Sequence, residues 1–246
     1  MALLATKHVG VSFGGLRALD QVDLTVESAR VTGLIGPNGA GKTTLFNVVC
    51  GLQETDAGQV LFDDQNVTKL KAHERARRGL ARTFQRLEVF GSLSARDNVL
   101  TAAEIHRSWS HDESDPDQVT EELVDRVGLR DVADEQADTL PTGMARLVEV
   151  ARALAARPRV LLLDEPSSGL DEHESDVFAK LLLDLAGEGL AILMVEHDVP
   201  LVMEVCSTIH VLDFGKMIAV GTPAEIQADP TVQAAYLGAT GDGDGN

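Results

Sequence analysis

Apolar positions along this chain fall into short unbroken runs separated by stretches with helical spacing. Residues 3–9, 22–26, 31–35 and 59–62 have strand-like patterning, and a glycine-rich turn at 36–41 precedes a helix predicted from Lys42 to about Cys50. From Ala72 to about Val127 the pattern turns helical, with Ser94 or Asp97 as candidate caps and a polar loop at 111–118. Further on, 147–156 and 172–185 read as helices, whereas 160–163 and 190–195 are apolar throughout. A strand with no polar alternation is one covered on both faces, as happens in a parallel sheet flanked by helices. The alternation of such strands with helices predicts a parallel α/β core. The final stretch, GATGDGDGN at 238–246, has no apolar anchor beyond Ala239 and is expected to be a disordered tail.

Composition narrows the possibilities. With 246 residues and 44% hydrophobic content, the chain can bury a substantial core in one domain or two subdomains. Its apolar runs are far shorter than the roughly 18 residues that suggest a membrane span, so any membrane role is expected to pass through a partner. Near the start, the only basic residue is Lys7, placed after a small apolar run, unlike the charged front of a secretory leader. A formal charge of −18 opposes nucleic acid as a ligand. Arg75, Arg77 and Arg78 form a local basic cluster, expected to be the solvated face of a helix. Cys50 and Cys206 lack metal-ligand spacing and are expected to be buried, reduced thiols of a cytosolic protein.

Two motifs carry chemistry. Residues 36–43 read GPNGAGKT, the phosphate-loop pattern G-x-x-x-x-G-K-[ST] between an apolar strand and a helix. Gly36, Gly39 and Gly41 let the backbone curl so that its N–H groups face an anion, with Pro37, Asn38, Ala40 and the following Thr44 completing the cradle. Lys42 is placed to reach the β- and γ-phosphates of ATP, and the Thr43 hydroxyl to meet Mg²⁺. Residues 160–166, VLLLDEP, deliver two carboxylates at the C-terminal end of a buried strand, the edge where parallel sheets bind ligands. Asp164 is the candidate Mg²⁺ ligand and Glu165 the group that orients or deprotonates an attacking water.

With these motifs the chain resembles the ATP-binding subunits of ABC transporters from about Leu4 to Leu237. The resemblance implies a P-loop NTPase (RecA-like) parallel sheet core, an N-terminal antiparallel β-subdomain, a helical subdomain inserted at about 90–156, and ATP hydrolysis coupled to transport. Phe13 corresponds to the family's adenine-stacking aromatic. Gln85, in RTFQ, corresponds to the residue that touches Mg²⁺ and links nucleotide to membrane subunit. Asp171, in SSGLD, matches the loop that communicates across a dimer, and His197, in VEHD, the switch histidine at the γ-phosphate. Leu87, Val89 and Phe90, just after Gln85, are the candidate surface for a short helix of the membrane subunit.

One segment departs from the pattern. Where the family reads LSGGQ, over the ATP bound by the partner subunit, this chain reads LPTGM, with Pro141, Thr142, Gly143 and Met144 in the signature positions. The serine hydroxyl and the glutamine amide are absent, which leaves backbone N–H groups and the helix dipole to hold an anion more weakly. The expected assembly therefore pairs this chain with a second ATP-binding subunit of fuller signature, giving unequal sites on membrane-spanning permease subunits at the cytoplasmic face of the membrane. RTFQRLEVFGSLSARDNVL, VEHDVPLVMEV and DPTVQAAYLG are most similar to branched-chain (hydrophobic) amino acid importers, whose complexes also engage an extracytoplasmic substrate-binding protein. Urea, amide, lipid or lipopolysaccharide transport remain alternatives. So does a non-hydrolysing regulatory module, which Asp164, Glu165 and His197 oppose.

Overall fold

The computed structural model describes residues 2–110 and 112–239. In chain order its strands are β1 (Ala2–Phe13), β2 (Leu16–Glu27), β3 (Val31–Ile35), β4 (Ala57–Phe62), β5 (Gln65–Asn66), β6 (Leu80–Arg82), β7 (Val160–Asp164), β8 (Ala191–Val195), β9 (Thr208–Asp213) and β10 (Lys216–Gly221). Its helices are α1 (Lys42–Cys50), α2 (Ala72–Ala76), α3 (Ala95–Trp109), α4 (Pro116–Arg126), α5 (Thr142–Ala155), α6 (Glu172–Gly187), α7 (Val199–Val205), α8 (Pro223–Ala228) and α9 (Pro230–Ala239). The strands form two sheets, an antiparallel one in the order β2-β1-β4-β5 and a second in the order β10-β9-β3-β8-β7-β6. In the second sheet only β10 runs antiparallel, at one edge. The fold is α/β, as the patterning predicts.

The unbroken apolar strands are explained by what lies on each side of the second sheet. Leu161, Leu163, Ile192 and Met194 face a cluster shared with α3, α5, α6 and α7. Val160, Leu162, Leu193 and Val195 face the other way, into a cluster with Phe46 and Val49 of α1 and Leu4, Val9 and Leu24 of the antiparallel sheet. Each strand thus buries both faces, and each such Leu or Ile contributes about 1.5–3 kcal/mol by leaving water. Helices α3 and α5 belong to the same continuous cluster as the sheet, which ties the helical region to the sheet's end. No helix among the described residues is long and apolar enough to cross a membrane.

Several expectations need correction. Strand β6 falls inside the stretch read as helical; its three residues are too few to show a period, and pairing with β7 alone makes them a strand. Helix α4 starts at Pro116, inside the expected loop, because Pro suits a first helical turn and the Asp115 carboxylate accepts from the Asp117 N–H (3.3 Å). Helix α5 starts at Thr142, five residues before the predicted 147. Ser94, not Asp97, caps α3, accepting from the Asp97 N–H at 3.0 Å. The expected tail begins within α9; its remainder, 240–246, and His111 of the expected loop lie outside the described residues.

Arg75 is the plainest reversal. It is buried, and its guanidinium donates to the carbonyls of Val48 and Val49 (both 2.6 Å), Thr68 (2.9 Å) and Leu70 (3.1 Å). The last carbonyls of a helix have no partner within it, and a cation placed there satisfies them and the helix dipole together. Arg77 and Arg78 are exposed, as expected, and Cys50 and Cys206 are buried free thiols.

His210 gives the fold a pH dependence. It sits buried in β9 with no well-formed hydrogen bond to either ring nitrogen among the described residues, and burial, outweighing the nearby Thr25 backbone, lowers its pKa from 6.5 to about 4. Above pH 6.5 the imidazole is neutral in both folded and unfolded chains and costs nothing. Between 6.5 and 4 only the unfolded chain gains the proton, so stability falls with pH, by about 3 kcal/mol in all. Denaturant titrations at pH 7.5 and 4.5 are expected to show this loss in the wild type and a smaller one in His210→Leu.

Candidate active site

Strand β3 ends at Ile35 and α1 begins at Lys42, and the six residues between curl tightly against their neighbours. At Gly36 (φ 154°) a Cβ would fall 2.0 Å from the Leu212 carbonyl oxygen, and at Gly41 (φ 108°) one would fall 2.7 Å from that of Ala18. Only glycine permits this approach, which turns the loop under the N-terminus of α1. Lys42 is buried, and its ammonium donates to the carbonyls of Gly36 (2.6 Å) and Pro37 (3.0 Å). Desolvation lowers its pKa, against the opposing pull of Glu165 and Asp164. The ammonium is therefore held over the loop, where an anion would find it. Thr43 is exposed in the first turn of α1.

The two carboxylates at the end of β7 have different surroundings. Asp164 is buried, and Arg82 Nη2 donates to its Oδ2 at 2.8 Å. The same guanidinium donates to Asn47 Oδ1 (2.6 Å) and lies 5.4 and 4.9 Å from the ring centroids of Phe46 and Phe84. Glu165 has a positive φ of 51°, uncommon for a residue with a side chain, and its N–H donates to the Val195 carbonyl (2.9 Å). Its carboxylate is gripped from two sides: His197 Nε2–H donates to Oε1 (2.8 Å) and Gln85 Nε2 donates to Oε2 (3.2 Å).

One cleft of about 530 Å³ gathers these groups. Phe13, Lys42, Thr43, Gln85, Glu165 and His197 all line it, together with Asn38, Gly39, Ala40, Gly41 and Thr44 of the loop. Gly36, Pro37 and Asp164 do not line it, nor do the segment 141–144 and Asp171. Pro141 precedes α5 without offering a side-chain cap, Thr142 is exposed, and Gly143 is packed so closely that a Cβ would meet Leu170 at 2.7 Å. Met144, in the first turn of α5, is half-buried and packs against the main core. Asp171 caps α6 in a reciprocal pair with Glu174 (2.8 and 2.9 Å).

The sequence matches the profile of the ABC transporter family over residues 19–168. The chain belongs to that family. A second profile, the branched-chain amino acid ATP-binding cassette transporter, matches residues 216–242. Among curated relatives, the lipopolysaccharide export system ATP-binding protein LptB of Escherichia coli K12 is 37% identical over 97% of this chain and 98% of its own. The high-affinity branched-chain amino acid transport ATP-binding protein BraF of Pseudomonas aeruginosa is 36% identical over 96% and 98%. The ADP conformation of the ATP-binding cassette MJ1267 superposes with a TM-score of 0.84 at 28% identity, covering 97% of this chain and 99% of that one. The chain is thus an ATPase subunit of an ABC transporter, with the cassette fold.

Within this ABC ATPase, sequence reasoning missed two residues that build the site. Arg82 carries no motif signal because its partner lies 82 positions away. Glu196, buried, accepts from the backbone N–H groups of Ser167 (2.7 Å) and His197 (3.0 Å), tying the loop after β7 to the loop after β8. It thereby sets the distance between Glu165 and His197. A carboxylate beside a histidine in VEHD was the available signal. Of the three apolar residues after Gln85, Leu87 and Val89 pack half-buried against the main core and Phe90 is exposed, while a separate groove of about 410 Å³ is lined by Leu52, Phe84, Ile105 and Trp109.

Proposed function

We propose that this ATPase drives a transporter that imports branched-chain or other hydrophobic amino acids. The reading of the cleft is carried by Glu165, held between Gln85 and His197 beside the phosphate loop. ATP lies with its phosphates on the loop N–H groups and its base on Phe13. Lys42 exchanges the Gly36 and Pro37 carbonyls for β- and γ-phosphate oxygens, a stronger charge-assisted contact. Glu165 accepts a proton from the attacking water, and His197, hydrogen-bonded to it, contacts the γ-phosphate and reports its loss. The Mg²⁺ donors are oxygens throughout: the exposed Thr43 hydroxyl, the Gln85 carbonyl left free by its N–H contact, and the second oxygen of Asp164. Such a set fits a hard cation that also takes phosphate oxygens, and no three-ligand metal cluster occurs among the described residues. When bound, Mg²⁺ neutralises phosphate charge at the scissile bond.

The proposed assembly follows from the segment 141–144. Lying away from the chain's own cleft, it serves a partner subunit's ATP, with Asp171 communicating between the two. Its missing hydroxyl and amide favour pairing with a second ATP-binding subunit and unequal sites. Residues 4–237 act as one nucleotide-binding domain with the helical part at about 90–156, bound peripherally to permease subunits at the cytoplasmic membrane face. Leu87, Val89 and the exposed Phe90, with the apolar groove beside Phe84, form the surface that receives the permease. An extracytoplasmic binding protein completes an importer.

The substrate reading is supported by the branched-chain profile match at 216–242. A second reading, lipopolysaccharide export, is favoured by 37% identity to LptB beside 36% to BraF. Purifying the subunit from native membranes tests both: co-purification of two permease subunits, a second ATPase and hydrophobic amino acid uptake is expected. Recovery of exporter subunits, or of two copies of this chain hydrolysing at equal rates, would reject the import or the unequal-site proposal respectively.

A further inference from the structure

Strands β9 and β10 are joined by a two-residue turn, Phe214 and Gly215, since Asp213 pairs directly with Lys216. Both turn residues have positive φ, 42° and 76°, the backbone of a type I′ turn. That turn favours Asn-Gly or Asp-Gly, because a short polar side chain tolerates the left-handed conformation and a bulky one does not. Here a phenylalanine takes the first position with 86% of its surface exposed. It adds backbone strain and gains no core contact, and an outlier of this kind points towards function.

Its surroundings indicate which function. The turn is fixed on two sides: the Gly215 N–H donates to the Ala40 carbonyl of the phosphate loop, and the Gly215 carbonyl accepts from the Asp20 N–H on β2, both at 2.8 Å. A Cβ on Gly215 would lie 2.6 Å from the Ala18 carbonyl, so the turn has no room to drift. Phe214 opens onto the same cleft as Phe13, Leu16 and the phosphate loop. The polar lining of that cleft suits phosphates. Its three exposed apolar side chains, Phe13, Leu16 and Phe214, suit a flat heterocycle.

We propose that Phe214 supplies a second aromatic contact to the nucleobase, so that the purine is held between the β1–β2 turn and the β9–β10 turn. The inference rests on the reading of this cleft as the ATP site. An exposed ring on a fixed backbone needs only a rotamer change to stack on a base, and stacking acts on the base alone. Phe214 therefore contributes to affinity for ATP and not to affinity for the bare triphosphate.

Phe214→Asn is the discriminating variant, because Asn suits the type I′ position and keeps the turn. Calorimetry on the full-length subunit with Mg²⁺ is expected to show the ATP dissociation constant raised about tenfold, with inorganic triphosphate unchanged and Phe214→Tyr close to wild type. Unchanged ATP affinity, or equal weakening of both ligands, overturns the proposal. So does a variant that keeps ATP affinity but loses self-association, which would assign the ring to an interface between copies. If the wild type itself takes up neither ligand, the reading of the cleft fails first and the proposal with it.

Discussion

Glu165→Gln is expected to lower ATP turnover in the assembled transporter by about a hundred- to ten-thousand-fold, the range a positioned general base supplies. The amide keeps the shape of the carboxylate, so ATP still binds. What is lost is proton acceptance, together with the charge that the His197 and Gln85 N–H groups now meet at 2.8 and 3.2 Å. The measurement is phosphate release beside nucleotide affinity. Turnover within threefold of wild type would remove Glu165 from the chemistry, and a parallel loss of binding would mean that the substitution had disturbed the phosphate loop instead.

Arg82→Met is expected to cost about 3–5 kcal/mol of folding stability, because it removes the guanidinium paired directly with the buried Asp164 carboxylate and leaves only the more distant Lys42 to oppose it. The two side chains are only 7% and 3% exposed, which separates this pair from the chain's surface ion pairs, worth about 1 kcal/mol or less. In urea the midpoint should fall by about 1 M or more. Arg82→Met combined with Asp164→Asn should recover much of the loss, since no isolated charge remains. If the single and double variants are equally unstable, the stacking of Arg82 on Phe46 and Phe84 carries the effect and the ion pair does not.

Read from sequence, the phosphate loop and α1 were legible to the residue, because glycines, lysine and the helix start must follow one another without a gap. Strands β7 and β8 were legible because burial on both faces leaves an unbroken apolar run. Strand β6 was not: three residues adopt a strand only because β7 offers an edge. Arg75 read as a surface charge because nothing local reveals that the last turn of α1 ends against it. The pairing of Arg82 with Asp164, the grip of Gln85 and His197 on Glu165, and the bridge from Glu196 all join segments far apart in the chain.

The sequence by itself determined the phosphate-loop chemistry and the alternation of buried strands with helices around it, since both depend on residue types at fixed short spacing. Only the tertiary structure decided which side chains face one another in the cleft, which charges are buried, and that Phe214 opens onto the same cleft as Phe13. Those relations arise when parallel strands bring their C-terminal ends to a common edge, and no spacing along a chain encodes a distance across a sheet.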